Sequence, residues 1–372
     1  MQKPEINSEL LQDIDNKPLI KPKRIESLDW LRGLMALSIM LYHLSVWYFI
    51  APDATSLLGR MGIYGVSIFF ILSGLSMAIV YHHFIQSASS AFAFMVRRIF
   101  RIWPLLWIAT LATVAIKLYQ HDLIPDSTKI ALNLTGLFGF VPPYAYIATG
   151  AWSIGNEMVY YAITPFLLLG YNYSQWLGNL IVAITFGIGL YFSSVLLSPE
   201  FTLVQQWDTY IHPLNNLFLY AIGIAIYYNL KDVKIPHLLN LALLLISLLI
   251  LLFYTVGINQ IDLVTGWNRI IFIALSVGFV VSFYKFRLML PAFFSYPLEK
   301  LGLVTYGVYI LHPIVKSFVE KGFLAFGFHN NYAIAVAVII LTITLSLISY
   351  YAIEIRLMRL GKRLTTKSQP KA

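Results

Sequence analysis

In the first apolar stretch of the chain, SLDWLRGLMALSIMLYHLSVWYF from Ser27 to Phe49, Arg32 stands near the start and His43 well inside. Eleven positions at about 100° each come to about 20° beyond three full turns, so both project from one helix face, roughly 16 Å apart along the axis. An imidazole that is neutral near pH 7 can serve as a general base or carry an acyl group, and a guanidinium can hold an anion. Ionisable groups inside a membrane span are costly and usually functional. The plainer readings are an arginine that anchors the helix end by snorkelling and a histidine that only bridges two helices.

Two further clusters carry chemistry. In FMVRRIFRIWPLLW, Arg98 and Arg101 are three apart on one helix face with Arg97 beside them, and guanidinium forks suit phosphate oxygens. Basic residues at the cytoplasmic start of a span are also what the positive-inside rule requires. In GAWSIGNEMVYYAITP, Glu157 enters an apolar segment about one and a half turns from its expected outer end. A carboxyl group there needs a partner, and His43, also expected in the outer half, could meet it in one polar cavity. YGVYILHPIV places Tyr306, Tyr309 and His312 at three-residue steps, a stripe that could line the same cavity, with Pro313 expected to kink the helix. FFILSGL brings Ser73 and Gly74, small residues that read as close helix packing.

The elements that must position these groups are membrane helices. Of 372 residues, 59% are hydrophobic and 12% charged, and the mean hydropathy is +0.73, outside the soluble globular range. Windows long enough to cross about 30 Å of hydrocarbon fall at 31–50, 61–81, 99–117, 152–170, 177–197, 212–228, 237–257, 269–284, 302–321 and 332–353. The segment 130–149, with Asn133 and Pro142-Pro143, reads as re-entrant or interfacial. The expected fold is therefore an all-α polytopic membrane protein with about ten transmembrane helices. Most of the 26 lysines and arginines fall on one side if both termini are cytoplasmic. The expected organisation is a cytoplasmic tail at 1–26, a transmembrane domain at 27–356 and a basic cytoplasmic tail at 357–372.

This asymmetry accounts for the net charge of +9 without nucleic acid, and a basic inner face suits anionic lipid or an anionic cytoplasmic ligand. The chain has no cysteine, so disulfides, thiolate metal sites and cysteine nucleophiles fall away; no metal is expected. A competing class is a transporter or flippase of acyl groups or glycan intermediates, because a proton-coupled carrier also needs intramembrane His, Glu and Arg. Against it stand the lack of an internal repeat and of paired broken helices.

Six blocks in order then carry a resemblance: LDWLRGLMALSIMLYH, GVSIFFILSGL, RRIFRIWP, WSIGNEMVYY, YGVYILHP and YYAIEIRLMRLGKRL. Together they resemble the membrane-bound acyltransferase family 3, the bacterial integral membrane O-acyltransferases of surface glycans, in the form without an appended hydrolase-like domain. The resemblance implies His43 as catalytic residue with Arg32 as its helix partner and Arg98 and Arg101 toward the donor; Glu157 matches the family's acidic position and is expected as the second catalytic residue, orienting the His43 ring or stabilising its imidazolium, and Arg32 is expected to join the arginines at the donor. Asp29, Trp152, Ser153, Tyr306, Tyr309 and His312 are expected to line or support the cavity. It further implies acetyl-CoA as donor substrate, a glycan or glycolipid acceptor such as lipopolysaccharide O-antigen or exopolysaccharide, and a multi-pass place in the bacterial inner membrane.

Overall fold

The computed structural model describes residues 25–141, 145–286 and 290–366; residues of the expected N-terminal tail before 25, Pro142-Pro143 and the last six residues of the expected basic tail lie outside them. The described residues form helices and connections, with no strand among them. In chain order the helices are α1 (Glu26–Tyr48), α2 (Leu57–Tyr81), α3 (Ala88–Tyr119), α4 (Ser127–Thr135), α5 (Ala151–Tyr173), α6 (Gln175–Tyr191), α7 (Trp207–Tyr210), α8 (Pro213–Leu230), α9 (His237–Phe253), α10 (Gln260–Val264), α11 (Gly266–Tyr284), α12 (Ala292–Leu303), α13 (Thr305–Ala325), α14 (Asn331–Ser349) and α15 (Ile355–Thr366).

Local sequence sets many of the starts. Ser56 caps α2 through Gly59 N–H, Ser87 and Ser90 form a reciprocal capping box before α3, and Asp126, Ser174 and Asn330 cap α4, α6 and α14. Each side-chain oxygen satisfies a helix-end N–H that has no intrahelical partner. In hydrocarbon such satisfaction is compulsory, because no water is present to supply it.

Among the described residues, five helices are long and apolar enough to cross a membrane, six if α12 and α13 are taken as one bent span. They are α2, α3, α6 with its continuation to Leu196, α11, and a 36-residue element that runs from α14 through α15. The protein is thus an all-helical, multi-pass membrane protein. Helices α1 and α5 have 23 residues each, long enough to span; what sets them apart is polar cargo, Asp29, Arg32 and His43 on one, Asn156 and Glu157 on the other.

The segment 130–149, expected to be re-entrant or interfacial, holds in its described residues the end of the nine-residue α4 and a four-residue 3-10 turn, Leu137–Phe140; nine residues rise only about 14 Å, so neither piece is long enough to cross as a helix. At Val304, α12 and α13 meet at 71°, and α13 continues through Pro313 to Ala325. The helix entering the expected C-terminal tail continues past residue 356 to Thr366, packed on α3.

Close crossings hold the helices that carry the polar groups. A Cβ on Gly74 would stand 1.9 Å from the Tyr220 carbonyl oxygen, and one on Gly223 would stand 2.0 Å from that of Ile71. Helices α2 and α8 therefore meet backbone to backbone, a contact only glycine permits. The same holds between α1 and α12, where a Cβ on Gly302 would lie 2.2 Å from the Asp29 carbonyl oxygen.

Candidate functional site

On α1, Arg32 donates through Nη1 to Asp29 Oδ1 at 2.8 Å, and its other terminal nitrogen meets Ser76 of α2. One turn along α2, Ser73 donates to Glu157 Oε1 at 2.5 Å, and Tyr161, one turn along α5, donates to the same oxygen at 2.5 Å. Because Ser73 and Ser76 are neighbours on one face of α2, Glu157 lies near the level of Arg32. No cation bonds directly to Glu157 among the described residues.

From α3, Arg98 donates to Tyr81 Oη at 2.7 Å. Its guanidinium stands 5.1 Å from the centre of the Tyr81 ring, with Phe94 and Tyr161 at 6.0 and 5.9 Å. Its Nε is buried without a protein partner. Arg101 donates to the weak acceptor Sδ of Met358, at 3.2 Å, and lies close enough to the buried Glu354 carboxyl to interact with it. Arg97 points elsewhere: it donates to Thr365 at 2.8 Å and lies over Phe84, as expected of a neighbour rotated about 100° from Arg98.

These groups enclose one cavity of about 360 Å³, lined by Asp29, Arg32, Ser73, Ser76, Arg98, Arg101, Ser153, Glu157, Tyr161, Tyr306 and Tyr309 with apolar side chains between them. Three guanidinium groups face two carboxyl groups, so the walls favour an anion. Tyr306 is fixed by donating to the Ile102 carbonyl at 2.8 Å. Ser153 donates to Tyr309 Oη at 2.9 Å, and Tyr309 donates to the Gly150 carbonyl at 3.0 Å. Gly150 takes φ +82°, the left-handed region that favours glycine, where it precedes α5. Its contact with Tyr309 places the start of α5 against the middle of the bundle.

His43 is not a wall of this cavity. Its Nδ1 is 2.8 Å from Nε2 of His312 on α13, and the two rings are stacked with centres 5.0 Å apart and planes 14° apart. Trp47 stacks on His43 at 5.4 Å. His312, 1% exposed, is held from its other side by the Val308 carbonyl, 3.0 Å from Nδ1. The ring of Tyr309, which lines the cavity, is 6.4 Å from that of His312, so the imidazole pair stands one turn of α13 beyond the cavity wall.

A family model described as an acyltransferase domain matches residues 25–351. The chain belongs to acyltransferase family 3. Among curated proteins no significant match was found. Membership makes the chain an acyltransferase, and the matched region takes in both the cavity and the imidazole pair.

Within this acyltransferase, Asp29, Ser153, Tyr306 and Tyr309 line the cavity as expected from the sequence, whereas His312 pairs with His43 and Trp152 packs among Phe70, Trp207 and Tyr210. The expected meeting of Glu157 with His43 is replaced by Glu157 beside the arginines and His312 beside His43. The cause is the start of α5: Leu137–Phe140 packs on α5 and Gly150 is tied to Tyr309, so position 157 is carried to the Arg32 level. Ser73, Ser76 and Tyr161 were not expected in the site. Their signal was present, Ser73 and Ser76 three apart on α2 and Tyr161 four from Glu157, but the apolar surroundings of the serines read as packing.

Proposed function

We propose that this acyltransferase is an O-acetyltransferase that moves an acetyl group from cytoplasmic acetyl-CoA to a hydroxyl of a cell-surface glycan, such as lipopolysaccharide O-antigen or exopolysaccharide, in the bacterial inner membrane. The proposal includes ten crossings with both termini cytoplasmic, which puts the Arg32 end of α1 at the inner face and His43 beyond the midplane. The observation that carries the reading is the division of labour along α1: an arginine-walled cavity at one end and, eleven residues on, a histidine held by a specific partner.

The donor's phosphates belong at the Arg98 and Arg101 end, with Arg32 beside them, because charge-assisted hydrogen bonds from guanidinium to phosphate are strong and directional. Arg98 Nε, buried without a partner, fits that use, since an orphaned buried donor is costly until something accepts from it. Glu157 then serves in the cavity, where its hydrogen bonds to Ser73 and Tyr161 fix a negative group opposite the arginines. The thioester end points along α1 toward His43.

At that end His43 takes the proton of the acceptor hydroxyl while its oxygen bonds to the thioester carbonyl carbon. Collapse of the tetrahedral adduct breaks the C–S bond, and the departing thiolate receives the proton from the imidazolium. Proton transfer in both directions by one imidazole is ordinary general acid–base catalysis.

The test supplies labelled acetyl-CoA to the cytoplasmic face of membrane vesicles and follows label into glycan and glycolipid fractions, with wild type beside His43→Ala. Label that enters with wild type alone supports the reading and identifies the acceptor fraction. Equal labelling by both removes His43 from the chemistry. No label with correctly inserted wild type removes acetyl-CoA as donor or a glycan as acceptor.

A further inference from the structure

We infer that His312 is the positioning residue of the reaction: it fixes the His43 ring in the tautomer whose Nε2 carries the lone pair. The inference rests on the reading of His43 as the base, and it follows from which atoms can donate. A backbone carbonyl only accepts, so the 3.0 Å contact from His312 Nδ1 to Val308 requires the proton on Nδ1. In a neutral ring Nε2 is then an acceptor. That nitrogen is 2.8 Å from His43 Nδ1, which must therefore donate. A neutral His43 that donates through Nδ1 has its lone pair on Nε2, and Nε2 makes no hydrogen bond with the described residues.

The chain carbonyl, His312, His43 thus performs with an imidazole what a carboxylate performs in hydrolase triads: it holds the base's far nitrogen and leaves the near one free to take a proton. Two features keep the arrangement single. His312 is sealed within the bundle at 1% exposure, so no solvent competes for its Nε2. Trp47 covers one face of His43 at 5.4 Å, which limits rotation of the ring. When His43 takes the acceptor's proton at Nε2, its Nδ1 proton stays shared with His312 Nε2, so the new positive charge forms against an acceptor already in place.

The experiment has an arm that does not depend on turnover. Histidine labelled with ¹⁵N in detergent-solubilised full-length protein reports which ring nitrogen carries the proton, the His43 signals being assigned by their loss in His43→Gln. The expected result is Nδ1 protonated and Nε2 bare in wild type, with His312→Phe shifting the proton toward Nε2. His43 found protonated on Nε2 in wild type overturns the inference and leaves the acetyltransferase reading standing.

The second arm is kinetic. His312→Phe, which fills the space without an acceptor, is expected to lower kcat by roughly 10²-fold with the donor KM unchanged, in the range of general-base effects. His312→Gln, whose amide oxygen can accept from His43 Nδ1, is expected to recover most of that loss. Equal activity of the Phe variant and wild type, or failure of Gln to rescue a folded protein, overturns it. Full activity of His43→Ala would instead sink the catalytic reading, while the ¹⁵N result would still decide the tautomer.

Discussion

The arginine-walled cavity and the imidazole pair are built differently. The cavity is assembled from α1, α2, α3, α5, α12 and α13 with Tyr350, and each polar group is tied by a different neighbour: Arg32 by Asp29 and Ser76, Glu157 by Ser73 and Tyr161, Arg98 by Tyr81. The imidazole pair needs only α1 and α13 and one 2.8 Å contact. A binding region spread over several helices tolerates loss of one tie, because the others keep its shape. A reacting group held by one tie does not.

The sharpest break of this comparison is His43→Ala. Transfer should fall by at least ~10²-fold, while binding of acetyl-CoA to the purified protein stays within a few-fold of wild type, because His43 is not part of the cavity wall. Donor affinity lost in parallel with turnover would show that the two regions are one.

Next comes the pair Arg98→Ala with Arg101→Ala. Loss of two charge-assisted contacts, each worth about 1.5–3 kcal/mol, predicts a donor affinity weaker by roughly 10²- to 10⁴-fold. Residual binding should also depend less on salt. Isothermal titration at two ionic strengths checks both; unchanged affinity would return these arginines to a topological role.

Glu157→Gln should be milder. The amide keeps an oxygen that can accept from Ser73 and Tyr161, so shape is retained and only the charge opposite the arginines is lost. Donor binding is expected to tighten or change by less than about tenfold, with kcat reduced less than in His43→Ala. A loss as deep as that of His43→Ala would make Glu157 a participant in the chemistry.

The difference between the regions also decides what the sequence disclosed. Helix periodicity placed Arg32 and His43 on one face and Arg98 with Arg101 on one face, because these are relations within a single helix. The cavity walls Tyr306 and Tyr309 followed from the same kind of spacing. Pairing across the chain was not legible: His43 and His312 are 269 positions apart, and nothing local to either names the other. Depth was misjudged at Glu157 because counting from the end of an apolar run assumes that the run starts at the membrane surface, and α5 starts against Tyr309 instead. Ser73 was hidden for another reason. A hydroxyl among apolar residues and beside a glycine that packs on α8 has the pattern of a helix crossing, and it is one, with the hydroxyl turned the other way onto Glu157.

The smallest expected effect tests the seam. Tyr309 lines the cavity, donates to the Gly150 carbonyl and accepts from Ser153, and its ring lies 6.4 Å from that of His312 one turn along α13. Tyr309→Phe removes one hydroxyl while keeping the ring. The Gly150 carbonyl keeps Ser153 as a donor, so the loss costs about 0.5–1.5 kcal/mol and thermal unfolding in detergent should shift down by a few degrees at most. If the cavity and the imidazole pair are independent, turnover and donor KM each change by only a few-fold, and the effect of His312→Phe is the same with Tyr309 or Phe at that position. A double-mutant cycle measures this directly. Strong coupling between Tyr309→Phe and His312→Phe would mean that the start of α5 sets the position of His312 through α13, and that the cavity and the base move as one body.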